Sequence, residues 1–199
     1  MRILIIGATG TIGQAVVAAL RPRNELVLAS RSKSEERVDL ADPSSIRALF
    51  ERVGKVDAVL SVAGEAAYKP LAQLSDQDFA FSVGSKLMGQ INLVRLGAPN
   101  VADGGSYTLT SGVLATRPTP GGAAISVVNA GVDAFARAAA LELPRGIRIN
   151  SVSPPWVSET LTAMGRDPSG GLPAADVARS YVESVDGKQT GAVITPKRR

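Results

Sequence analysis

Residues 3–13 read ILIIGATGTIG, four apolar residues running into glycines at 7, 10 and 13. An unbroken apolar run this short fits a strand buried on both faces, the setting of a parallel sheet. Residues 11–20 then carry the periodicity of a helix. Glycine at a strand-to-helix turn permits a tight bend and lets backbone N–H groups approach an anionic group. The helix N-terminus adds its positive dipole end. The stretch therefore predicts a dinucleotide pyrophosphate site at Gly7, Thr9, Gly10, Thr11, Ile12 and Gly13. The competing reading is a glycine-rich turn with no ligand, and the position between a buried strand and a helix argues against it.

Working outward, strand-length apolar runs alternate with longer amphipathic segments. Strands are predicted at 26–29, 38–40, 56–62, 106–110, 147–152 and 192–195. Asp42-Pro43 supplies an N-cap and a first-turn proline for a helix ending near 53. Ser75 and Asp78 form a capping-box pattern that opens a long helix to about 96. Further helices are predicted over 125–143 and 174–185. Strands alternating with helices imply an α/β fold: one doubly wound parallel sheet of about seven strands, Rossmann-type, with helices on both faces. No repeat or linker interrupts it, so residues 1–199 are read as one domain.

Composition narrows the chemistry. With 199 residues, 45% hydrophobic and 20% charged, the chain suits one well-buried core. Cysteine and histidine are both absent. Thiol nucleophiles, disulfides and the commonest general base are thereby excluded. Acid–base work must fall to Tyr, Lys, Asp, Glu or Ser, and the tyrosines are Tyr68, Tyr107 and Tyr181. The net charge of +4 is dispersed, apart from Lys197-Arg198-Arg199, which reads as a solvated tail rather than a nucleic-acid patch. The opening apolar run is too short for a signal peptide, and no run approaches a membrane span. The expectation is a cytoplasmic protein with a small-molecule substrate and neither nucleic-acid nor membrane partners.

The second strand ends in Ser30-Arg31-Ser32-Lys33, without the acid that usually holds a ribose 2′-hydroxyl. Arg31 offers a fork of donors matched to a 2′-phosphate, with Lys33 close behind. The expected cofactor is NADP(H), with Ser30 and Arg31 among its contacts.

Several motifs now coincide in order: the glycine loop, Val38-Asp39-Leu40, Ser61-Val62-Ala63-Gly64, Leu109-Thr110-Ser111-Gly112, the segment 148–154 ending in Pro154, and Thr190-Gly191. Together they resemble the short-chain dehydrogenase/reductase family across nearly the whole chain. The resemblance implies adenine contacts from Asp39 and Leu40, dinucleotide contacts from Ala63 and Gly64, and a nicotinamide-side loop at Pro154 and Val157. It implies a substrate-orienting serine at Ser111, and a homodimer or homotetramer packed through the two long helices.

The same resemblance exposes two departures. The family's helix carries a proton-donating tyrosine and, four residues on, a lysine; in register these positions are Ile125 and Asn129. The family's asparagine on the preceding long helix is Lys86 here. Lysine and asparagine look exchanged between helices, so Lys86 and Ser111 are the candidate catalytic pair. The polar neighbours Ser82 and Gln90 leave open a solvent-facing Lys86. Tyr68 is a candidate substitute acid, Trp156 and Val157 are expected to line the nicotinamide end, and residues 164–172 to cover the substrate. Two functions fit: an NADPH-dependent reductase of a small carbonyl or enone using a non-standard proton donor, or a non-catalytic NADP(H) sensor.

Overall fold

Leu4 and Ile6 of strand β1 (Arg2–Ile6) point into one apolar cluster, and Ile3 and Ile5 into another. Side chains alternate across a strand, so an all-apolar run is what two buried faces require. In the computed structural model, which describes residues 1–198, β1 is an interior strand of a seven-stranded parallel sheet, between β2 and β4. Its other strands are β2 (Glu25–Ser30), β3 (Glu36–Arg37), β4 (Val56–Ser61), β5 (Val101–Thr110), β6 (Arg148–Val152) and β7 (Val193–Ile194). The order is β3-β2-β1-β4-β5-β6-β7.

Helices cover both faces. One face packs α1 (Thr11–Leu20) against α7 (Ala174–Asp186), with Val16, Leu20, Val177 and Tyr181 fully buried. The other packs α2 (Pro43–Val53), α4 (Gly89–Gly97) and α5 (Ala123–Ala139) over Leu49, Phe50, Leu93 and Val132. A short α6 (Ser158–Ala163) follows β6. Asp42 caps α2 by accepting from the Ser44 N–H at 2.8 Å. Ser75 and Asp78 form the reciprocal capping box at the start of α3 (Asp76–Ser82). Among the described residues no helix is long and apolar enough to cross a membrane.

Three boundaries differ from the sequence reading. The third strand lies at Glu36–Arg37 rather than 38–40. Val38 N–H still bonds the Ser30 carbonyl at 3.1 Å, but the chain then turns into the α2 cap; Val38 and Leu40 are apolar because they enter the core. Strand β5 begins at Val101, five residues before the predicted start. Its register against β4 slips between Val56 and Ala58, and the intervening glycines conceal the strand pattern. Helix α5 runs Ala123–Ala139, displaced toward the N-terminus from 125–143. The basic tail is also not simply solvated: Arg198 Nη2 donates to the Gly171 carbonyl at 2.6 Å, while Arg199 lies outside the described residues.

The long helix contains an irregularity the sequence does not announce. Between α3 and α4, residues Val83–Met88 form a π-helical turn, and Lys86 sits on it. Such widened turns recur at functional sites.

Candidate functional site

Registry places the working ends together. Ile6 pairs with Ser61, and Thr110 with Val152, so the residues after β1, β4, β5 and β6 emerge at one edge of the sheet. The strand order reverses between β1 and β4, which is where open α/β sheets bind ligands. Two adjoining clefts occupy that edge and share Val62, Ala63 and Gly64 as a common floor.

The first cleft, about 510 Å³, is lined by Gly7, Thr9, Gly10, Ser30, Arg31, Lys33 and Leu40. Gly7 holds φ +85°, and a Cβ there would meet the Val62 carbonyl oxygen at 2.5 Å. Gly13 does not line the cleft. It lets α1 press onto the loop, since a Cβ would stand 2.0 Å from the Gly7 oxygen. The N-terminus of α1 has no side-chain cap, unlike α2 and α3, and no acid in its first turn, unlike α3. Its first N–H groups are therefore free for an anion, which fits a dinucleotide pyrophosphate. Thr11 starts this turn but, like Gly13, is not on the wall. Asp39 is exposed and its carboxylate accepts from the Ala41 N–H at 2.9 Å, while Val38 and Leu40 on either side line the wall.

The second cleft, about 350 Å³, is mostly apolar, with Ile12, Val113, Leu114, Ile125, Pro154, Trp156 and Val157 around five polar residues. Those five are Lys86, Thr110, Ser111, Asn129 and Thr160. Lys86 is buried, and its Nζ donates to the Ser111 carbonyl oxygen at 3.2 Å. Burial lowers its pKa to about 8, while the charge of Asp133 works in the opposite direction. The polar neighbours that suggested a surface lysine are themselves buried. Ser82 Oγ accepts from the Ala67 N–H at 2.9 Å, and Ser85 Oγ from the Glu65 N–H at 3.2 Å. The polar stripe faces the loop after β4, not water.

Gln90, one turn beyond Lys86, fixes this wall. Its Oε1 accepts from the Thr110 N–H at 2.8 Å, and its Nε2 donates to the Thr110 and Lys86 carbonyls at 2.9 and 3.1 Å. Ser111 follows directly; its N–H bonds the Val152 carbonyl at 2.9 Å and its hydroxyl makes only a long 3.4 Å contact with that same oxygen. Asn129 is buried on the facing helix, and its Oδ1 has no hydrogen-bond partner among the described residues. An unpaired buried acceptor beside a cleft is a place for a ligand donor. One turn on, Asp133 accepts from Ser151 Oγ at 2.7 Å, so a buried carboxylate underlies the site.

Tyr68 does not line this cleft. It packs edge-on against Trp156, centroids 5.9 Å apart, and its hydroxyl donates to the Pro120 carbonyl at 3.1 Å. Trp156 also carries the Arg166 guanidinium 5.3 Å above its ring. The segment 164–171 is pinned at its end by Leu172, whose N–H bonds the Trp156 carbonyl at 2.8 Å. Sequence reasoning missed Glu65, Gln90 and Asp133. Only Glu65 left a signal, as an acid directly after the glycine that ends the β4 motif.

A family model described as enoyl-(acyl carrier protein) reductase matches residues 12–193. The chain belongs to the short-chain dehydrogenase/reductase family. A protein from Listeria innocua is 44% identical, with a TM-score of 0.95 over 98% of both chains. A small-chain dehydrogenase solved in complex with NADPH is 25% identical, with a TM-score of 0.87 over 98% of this chain and 95% of its own. An uncharacterised NAD-dependent oxidoreductase of Mycobacterium tuberculosis is 30% identical over 125 residues. That match covers 59% of this chain, which spans 46% of the relative's length.

Proposed function

We propose that this chain is an NADP(H)-dependent reductase of a small carbonyl compound or enone, with Lys86 in place of the family's tyrosine as the source of the proton. The observation that carries the reading is the buried Lys86 ammonium, on the wall of an apolar cleft, bonded to the backbone of Ser111. The bound dihydronicotinamide supplies the hydride. Gly7, Thr9, Gly10 and the start of α1 hold the pyrophosphate; Ser30 and Arg31 take the ribose phosphate; Leu40, Ala63 and Gly64 support the adenosine end. Pro154 and Val157 form the floor of the nicotinamide end.

The chain's own groups then act on the substrate. The Ser111 hydroxyl, held only by its 3.4 Å contact, turns to donate to the substrate oxygen. Lys86 Nζ releases a proton toward that oxygen, and its pKa of about 8 suits an acid working near neutral pH. Asn129 Oδ1 accepts from a ribose hydroxyl where the family's lysine would donate. Ile125, where the tyrosine would stand, contributes only apolar wall. Trp156 and the 164–171 segment shield the reacting groups from water. A homodimer or homotetramer through the α3–α4 and α5 faces belongs to the same reading, supported by exposed Phe81, Met88 and Val127 on those helices.

The test is to follow NADPH oxidation with a panel of aldehydes, ketones, quinones and enones, beside NADPH titration of the same protein. Turnover that collapses in Lys86→Met and Ser111→Ala, with NADPH binding kept, supports the reductase. Tight NADPH binding with no turnover on any compound favours the sensor instead, consistent with the loss of the tyrosine.

A further inference from the structure

A carboxylate stands opposite the basic lip of the dinucleotide cleft. Arg31 and Lys33 line the cleft from the end of β2, and Glu65 lines it from the loop after β4. Glu65 Oε2 lies 3.3 Å from Arg31 Nη2. The backbone that presents this acid is fixed. The Glu65 N–H donates to Ser85 Oγ at 3.2 Å, and Gly64 before it holds φ +124° with Lys86 Cα 3.0 Å from where a Cβ would stand. The π-helical turn thus anchors the backbone of Glu65, while its side chain is 59% exposed. An ion pair that exposed holds loosely and is readily exchanged. Lys33, by contrast, has no carboxylate within ion-pair distance among the described residues.

We propose that Glu65 is the residue that sets cofactor preference, narrowing the selectivity that Arg31 confers so that the cleft accepts both NADP(H) and NAD(H). A carboxylate accepts from a ribose 2′-hydroxyl and repels a 2′-phosphate. The acid that would ordinarily make this choice sits at the end of β2; here that end is Ser30-Arg31, and the acid arrives from the other side of the cleft. With a 2′-phosphate present, Arg31 exchanges Glu65 for the phosphate, and Lys33 adds a second charge. With a 2′-hydroxyl, Arg31 keeps Glu65 in place and the carboxylate takes the hydroxyl. This inference rests on the reading of the cleft as the adenosine site, and its test separates the two.

The measurement is binding rather than turnover. Trp156, the one tryptophan, lines the adjoining cleft and reports nicotinamide binding by quenching. NADPH and NADH are titrated into the full chain, into Glu65→Gln and into Arg31→Ala. The expected wild-type affinities lie within about tenfold of each other, NADPH being tighter. Glu65→Gln is expected to tighten NADPH roughly fivefold, the weight of one unit charge at close range in water, and to weaken NADH. Arg31→Ala is expected to weaken NADPH roughly tenfold and NADH by roughly twofold, because Glu65 loses the partner that holds it in place. An unchanged NADPH-to-NADH ratio in Glu65→Gln, or a wild type exclusive for one cofactor, overturns the role of Glu65 and leaves the dinucleotide site standing. A wild type that binds neither overturns the site itself, and this inference with it.

Discussion

The two clefts on the sheet edge are built by different means. The dinucleotide end is made of backbone: glycine φ values, an uncapped helix start and a strand-to-helix turn contiguous in sequence. The proposed nicotinamide end is made of side chains from four separate places, with Lys86, Ser111, Asn129 and Trp156 arriving from the π turn, the residue after β5, α5 and the loop after β6. A backbone device tolerates almost no substitution, because a Cβ at Gly7 or Gly13 strikes a carbonyl. A side-chain device can be redistributed, provided the same charge reaches the same space from another wall. Lys86 and Asn129, on opposite walls of the second cleft, would be such a redistribution under the function proposed above.

The sharpest way to break this comparison is to delete the relocated charge. Lys86→Met should lower kcat by roughly 10²–10⁴-fold, the usual weight of a positioned general acid, while NADPH still quenches Trp156. In the wild type, kcat should fall as pH rises through about 8, where Lys86 loses its proton. A pH-independent kcat from 6 to 10 would remove the lysine from the chemistry. Striking the backbone end should do the reverse. Gly13→Ala should abolish dinucleotide binding and cost on the order of 3 kcal/mol in urea unfolding, because the loop and helix must separate.

Lys86 should also be a burden on the fold. Its pKa is lowered from 10.5 to about 8, so the folded chain resists carrying that charge. Between those pH values only the unfolded chain keeps the proton, and stability should rise with pH across the window. Lys86→Met should therefore be more stable than wild type at neutral pH by ~3 kcal/mol and should lose that pH dependence, as urea midpoints would show. Gln90→Leu should cost about 2 kcal/mol by leaving the Thr110 N–H and C=O buried and unpaired, and should slow turnover more than it weakens NADPH binding. The smallest effect belongs far from both clefts: Asp42→Ala removes the α2 cap and should cost about 1 kcal/mol with kinetics unchanged.

What the sequence disclosed follows the same division. Strand-to-helix punctuation, the Asp42 cap and the Ser75–Asp78 box are local, and the structure realises each. The helix containing residues 125 and 129 was legible because its apolar periodicity is continuous, although its bounds are Ala123–Ala139. The burial of Lys86 was not legible, since a run of Ser, Lys and Gln along a helix looks like a wet face until its partners across the fold are known. Glu65 left only the faint signal of an acid after the β4 motif, because its meaning comes from Arg31, which lies 34 positions earlier and across the sheet edge.

The Gln90 carboxamide deserves a mechanical reading. By accepting from the N–H and donating to the C=O of Thr110, it behaves as a peptide unit borrowed from a neighbouring strand, and it also grips the Lys86 carbonyl. The end of β5 and the π turn are thus riveted into one body. Any substrate that shifts Ser111 carries Lys86 with it, so the orienting hydroxyl and the proton source keep their spacing as the cleft opens and closes.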